Sequence, residues 1–176
     1  DGLATIIKSF QAKRMAVGFV LDIDLDLDKR WGVIKAKLKT IGYEINDDSL
    51  TKDGVILHLK NGVVGFWLMP DNLSKTGKLE DFLRTMIPQD DQILPIANKY
   101  LEYVRSLVLE ANRFRDVDFE KAELSSWLAV RNPPGLPYGT AIKAQILLPT
   151  SPTAKRFVSW FCELYGIADS FRKQSC

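Results

Sequence analysis

An α/β fold with a mostly parallel central sheet, flanked by helices and carrying one β-hairpin, is what this sequence predicts, and three observations carry that reading. Ala16-Val17-Gly18-Phe19-Val20-Leu21 is a continuous apolar run, the pattern of a strand covered on both faces in the interior of a parallel sheet. Val55-Ile56-Leu57-His58-Leu59 and Val63-Val64-Gly65-Phe66-Trp67-Leu68-Met69 are two further strand-like runs joined by Lys60-Asn61-Gly62, and Asn-Gly is the strongest short hairpin signal. Between and around these runs, apolar residues recur at helical spacing.

Taken in order, Leu3 to Arg14 reads as an amphipathic helix through Ile6, Ile7 and Phe10, with Lys13 and Arg14 near its end. The first strand, Val17 to Leu21, stops abruptly at Asp22. Trp31, Ile34, Leu38 and Ile41 then recur at helical spacing, with Asp28 as N-cap and Gly42 as the C-terminal glycine. After the hairpin, Pro70-Asp71-Asn72 ends the strand, and a polar loop to Gly77 leads into a short helix over Leu79 to Met86. A longer helical region spans Asp91 to Glu110, where Pro95 is tolerable in the first turn, and another runs from Asp118 to Val130. Asn132-Pro133-Pro134-Gly135-Leu136-Pro137 is an ordered loop, and Pro152 to Tyr165 forms the last helix through Phe157, Val158, Phe161 and Leu164. No internal repeat and no clear linker interrupts the chain, so residues 1–176 are expected to form one domain.

Composition narrows the function. With 46% apolar residues among 176, the chain can bury a core without staples. Lys plus Arg number 24 against 22 Asp plus Glu, so no long-range field draws in nucleic acid and any basic surface is local. Cys162 and Cys176 lack the spacing of a zinc site or redox pair, which favours a reducing cytoplasm. No run approaches the roughly 18 apolar residues of a membrane span, and Asp1-Gly2-Leu3-Ala4 opens no signal segment, so no membrane association is expected. Because the chain starts at Asp1 rather than Met, a missing upstream segment is also an expectation.

The residues most suited to chemistry are Asp22, Asp24, Asp26 and Asp28, because ligands of open α/β sheets collect where strands end. If strand geometry persists, Asp22 and Asp24 point the same way and share one Mg²⁺ or Mn²⁺ through hard oxygens. The alternative is that they are turn residues and a helix cap. An EF-hand is ruled out, since Leu27 and Val33 stand where Gly and Glu are needed. Asp71, just after a second strand, and Glu80, opening the next helix, are further metal candidates, with turn-former and first-turn readings beside them. His58 has no partner at ligand spacing, and Trp31, Trp67, Trp127 and Trp160 all fall within apolar patterns that suit a core better than a base-stacking platform. Gly-rich phosphate loops are absent.

Several segments together carry a resemblance: Val17-Gly18-Phe19-Val20-Leu21-Asp22-Ile23-Asp24 with Arg30-Trp31, then Val64-Gly65-Phe66-Trp67-Leu68-Met69-Pro70-Asp71-Asn72 with Leu79-Glu80-Asp81-Phe82-Leu83. Later come Lys121-Ala122, Trp127-Leu128-Ala129, Pro134 to Ile142, and Phe157-Val158-Ser159-Trp160. In these the chain resembles an uncharacterised family of prokaryotic Toprim-related proteins. Toprim domains occur in primases, topoisomerases and overcoming-lysogenization-defect-type nucleases, where a Glu after the first strand and a later Asp-x-Asp hold Mg²⁺ for phosphoryl transfer. The resemblance therefore implies a Toprim-like sheet, Asp22 and Asp24 as that Asp-x-Asp, nuclease-like action on nucleic acid, and Lys121 adding to charge neutralisation. The first Glu in this chain is Glu44, so the family's upstream Glu has no counterpart, through either a missing first strand or a lost ligand. The competing expectation is a non-catalytic binding or regulatory domain with a protein partner, and a homo-oligomer is compatible with either.

Overall fold

The computed structural model describes residues 2–13, 15–46, 49–107 and 114–167. Two compact units make up the chain, residues 1–82 with 150–176, and residues 83–149.

The first unit holds the sheet. Helix α1 (Gly2–Ala12) leads to β1 (Ala16–Asp22), α2 (Leu27–Lys39), the hairpin of β2 (Val55–Leu59) and β3 (Gly62–Met69), and α3 (Leu79–Arg84), within which the chain passes to the second unit. Helix α7 (Pro152–Leu164) returns to the first. The strand order is β1-β3-β2, with β1 parallel to β3 and β2 antiparallel to it. The fold is thus mixed α/β with an open three-stranded sheet that is partly rather than mostly parallel among the described residues. The expected hairpin is present, closed by Lys60 and Asn61 with Leu59 opposite Gly62.

Helices cover both faces of this sheet. On one, Val17, Val64, Phe66 and Leu68 pack in a single core with Ile7 of α1 and Trp31, Ile34 and Leu38 of α2. Burying each such side chain contributes roughly 1.5–3 kcal/mol. On the other face, Gly18 and Gly65 sit opposite each other in the β1–β3 register, and the missing side chains let α7 approach. A Cβ on Gly65 would lie 2.7 Å from Leu164 Cδ2 and 2.9 Å from Trp160 Cζ2, and one on Gly18 would lie 2.8 Å from Leu164 Cδ2.

One expectation about β1 is corrected. Val17 to Leu21 is not an interior strand, because β3 occupies the centre and β1 pairs with β3 alone among the described residues. The apolar run reports packing of Val17, Phe19 and Leu21 in the core with α1 and α2 and of Gly18 against α7, while Val20 is 45% exposed, and such packing does not require a neighbour on each edge. The N-cap of α2 is likewise Asp26 rather than Asp28: Asp26 has extended backbone and its Oδ1 accepts from Lys29 N–H at 2.9 Å. Gly42, with φ +89°, follows the end of that helix as expected.

The second unit is helical, built from α4 (Leu94–Ser106), a short 3-10 turn at Asp116–Asp118, α5 (Phe119–Ala129) and α6 (Tyr138–Lys143). Pro95 stands in the first turn of α4, as its missing N–H allows. The helix ends at Ser106, with Leu107 extended, short of the expected end at Glu110; residues 108–113, like Arg14 and Cys176, lie outside those described. Sequence reading did not anticipate α6, a six-residue helix directly after the proline-rich loop.

Candidate functional site

Because β1 and β3 run parallel with Asp22 opposite Met69, both strands finish at one rim of the sheet, and the loops that follow them are stitched together. Asp24 N–H donates to Gly77 O at 2.8 Å, Gly77 N–H returns the bond to Asp24 O at 3.0 Å, and Leu27 N–H donates to Lys75 O at 2.9 Å. Gly77 has φ +143°, and any Cβ there would lie 2.5 Å from Pro70 Cδ, so the loop closes only around glycine.

The aspartates at this rim take separate tasks. Asp22 Oδ1 accepts from Leu79 N–H at 2.9 Å, and Asp81 Oδ2 accepts from Lys78 N–H at 2.8 Å, so two carboxylates satisfy donors at the start of α3. Asp24 leaves strand geometry for the left-handed region, φ +62°, and its Oδ2 pairs with Arg30 Nη2. Asp26 caps α2, and Asp28 lies exposed in its first turn. Strand alternation therefore does not continue from Asp22 to Asp24, and the two carboxylates are held by different elements.

Asp71 folds into a local turn, its Oδ1 accepting from Leu73 N–H at 3.0 Å and Ser74 N–H at 2.8 Å and its Oδ2 from Ser74 Oγ at 3.0 Å. Glu80 lies in the first turn of α3 and is partly buried. Lys121 is exposed on α5, in the second unit. A shallow cavity of about 280 Å³ opens beside the rim, lined by Ile23, Asp24, Leu25, Asp26, Lys29, Arg30 and Val33, and so it draws on Asp24 but not on Asp22, Asp71 or Glu80. Among the described residues no three His, Cys, Asp or Glu side chains come together as metal ligands.

Two polar features escaped sequence reading. Asn72 is fully buried, its Oδ1 accepting from Leu68 N–H at 2.7 Å while its own N–H donates to Leu68 O at 2.8 Å. Its place directly after an apolar strand was the available signal, and it marks a residue that ties the strand end rather than a ligand. In the second unit Asp91 Oδ1 accepts from Ile93 N–H at 2.9 Å, Leu94 N–H at 2.7 Å and Trp127 Nε1–H at 2.9 Å, while Oδ2 pairs with Arg131, whose guanidinium lies 4.1 Å from the Trp127 ring centre. Burial pushes the Asp91 carboxyl up, but these hydrogen bonds and the Arg131 charge outweigh it and hold the group below the usual aspartate value. His58, on β2, is exposed, and the four tryptophans are buried core residues.

Fold and rim together define a mixed α/β protein whose strand-end aspartates stitch loops to helices, and no helix among the described residues is long and apolar enough to cross a membrane. The chain belongs to the family described as protein of unknown function (DUF3226), whose model matches residues 2–166. No curated protein and no solved structure gives a significant match.

Proposed function

We propose that this chain is a non-catalytic binding domain that meets a protein partner at the acidic rim, through the turn between β1 and α2 and the first turns of α2. The observation that carries this reading is the engagement of the carboxylates within the chain: Asp22 at the start of α3, Asp24 with Arg30, and Asp26 at the cap of α2. Around them the surface has an apolar centre and a charged surround. Leu25 is 80% exposed and Val33 46% exposed, with Asp28 and Lys29 exposed close by in the sequence. A basic partner with an apolar contact residue matches that chemistry.

A second reading is divalent-metal-dependent phosphoryl transfer on nucleic acid in a Toprim-like frame, with Asp22 and Asp24 binding Mg²⁺ or Mn²⁺. One observation favours it, the position of an Asp-x-Asp at the carboxyl end of a strand parallel to its neighbour.

Metal titration separates the two. On the binding-domain reading, calorimetry with Mg²⁺ and Mn²⁺ gives no saturable heat, DNA and RNA stay intact, and Asp22→Ala lowers stability by about 1 kcal/mol with or without metal, as loss of a helix-end acceptor does. On the metal reading, cation at ~100 times its dissociation constant stabilises by roughly 2.7 kcal/mol. Asp22→Asn, by easing repulsion, would then be no less stable than wild type without metal and would gain less from adding it. That second pattern would replace the binding-domain reading.

A further inference from the structure

We propose that the outer face of α4 is a homodimer interface, on which a second copy of this chain lays the same face antiparallel about a two-fold axis between Tyr100 and Tyr103. The inference stands apart from the acidic rim and does not rest on the reading given to it.

Helix α4 carries two apolar faces. Ala97 and Leu101 are buried, whereas Ile96, Tyr100 and Tyr103 are 65%, 59% and 65% exposed, and Leu107 at the helix end is 36% exposed. At about 100° per residue the four exposed side chains fall in one narrow stripe, roughly a quarter-turn from the buried face. A row of two aliphatic and two aromatic residues is more than the scattered apolar surface of a monomer, and tyrosine, with an apolar ring and a wet hydroxyl, is enriched at interfaces.

The connection that follows α4 is too short to cover this row. Beyond Leu107 the chain is back beside the helix at Asp116, whose Oδ1 lies 3.4 Å from Nε of Arg105, a residue on the far side of α4 from the stripe. Nine steps from Leu107 to Asp116 span at most about 32 Å. Running out along the stripe to Ile96 takes about 16 Å, and returning across a helix about 10 Å thick uses the remainder with none left for the reversal.

The spacing names the occupant. Successive residues of the stripe lie four, three and four positions apart, the alternation of a coiled-coil seam, and that series reads the same in both directions. A two-fold axis midway between Tyr100 and Tyr103 sets Tyr100 of each copy on Tyr103 of the other, and Ile96 on Leu107, the self-complementarity that a two-fold interface demands. Charge agrees with this register. Lys99 and Glu102 flank the stripe on one side, and the rotation keeps them there while reversing their order, so Lys99 of each copy comes within about 3 Å, measured along the axis, of Glu102 of the other. A segment from elsewhere in this chain need not share that symmetry, whereas a second copy has it by construction.

Sedimentation velocity on the full chain, over about a hundredfold range of concentration, tests this, because a dimer is populated by mass action. The sedimentation coefficient should rise with concentration. Tyr100→Lys and Tyr103→Glu, at positions more than half exposed, should keep the wild-type circular dichroism and each weaken dimerisation by about tenfold or more. Mixed in equal amounts they should recover it, because the antiparallel register sets the two substituted positions against each other and leaves one Tyr100–Tyr103 contact intact. If either variant loses its fold, Tyr100→Ser, a milder change, should weaken dimerisation by about threefold or more. A chain that stays monomeric throughout, as it would if another of its own segments or a different protein covered the stripe, overturns the proposal. So do single variants that dimerise as wild type does, or a mixture that associates no better than its components.

Discussion

At the scale of single residues, the polar side chains that matter most to this fold are those whose partners lie far away in sequence. Asp91 is the clearest case, because its carboxylate joins the start of α4 to Trp127 and Arg131, 36 and 40 residues on. Its acid form is disfavoured in the folded state, so the folded pKa is depressed. A depressed carboxylate contributes stability that is present above its unfolded value, about 3.9, and is lost as pH falls through the folded value. Acid unfolding followed by circular dichroism should therefore show wild type losing stability steeply below about pH 4, and Asp91→Asn, already weakened at neutral pH, losing less over the same interval. Equal slopes for both proteins would assign the acid sensitivity elsewhere. The sequence placed Asp91 at the start of a helix but held no sign of Trp127 and Arg131, because helix-end chemistry is local whereas this cluster is assembled by packing α5 against α4. The same division holds at the acidic rim. Capping of α2 by an aspartate was legible to within two residues, and the bond from Leu79 to Asp22 was not.

At the scale of elements, the contact between α7 and the sheet is the most demanding packing in the first unit. Gly18 and Gly65 provide the space into which Leu164 and Trp160 fit, with Trp160 Nε1–H also bonded to Val55 O. Gly65→Ala should destabilise by about 1–3 kcal/mol, as overpacking of a close contact does. Leu164→Ala opens the same space, so the double variant should be less unstable than the sum of the two single ones, by about 0.5 kcal/mol or more in a denaturation cycle. Additive effects would mean that the helix does not sit on the glycines. Both glycines stood inside readable strand runs, and the periodicity of α7 was equally plain, through Phe157, Phe161 and Leu164. Their pairing was not readable, because a glycine in a strand signals a close approach without saying what approaches. The place of β1 at the edge escaped for a related reason. Side-chain pattern reports the two faces of a strand, whereas edges are set by main-chain pairing, which every residue can make.

At the scale of the whole molecule, all four tryptophans are at most 5% exposed, three in the first unit and one in the second. Native fluorescence should accordingly be blue-shifted and resist quenching by iodide, with quenching rising several-fold on denaturation, as indole moves from apolar surroundings to water. Strong quenching in the native protein would contradict the core described above. That these rings belong to the interior, that the chain mixes helices with strands, and that Val55 to Met69 forms a hairpin were all determined by the sequence itself, because hydrophobic periodicity and turn chemistry act over a few residues. The presence of an acidic turn after the first strand was determined in the same way. Only the tertiary structure decided that β3 rather than β1 is central among the described strands, and that Asp22 meets the Leu79 N–H at the start of α3. Each of those outcomes depends on backbone groups and charges meeting across tens of residues. Such meetings are selected by the folded chain as a whole, and no local pattern in the sequence encodes them.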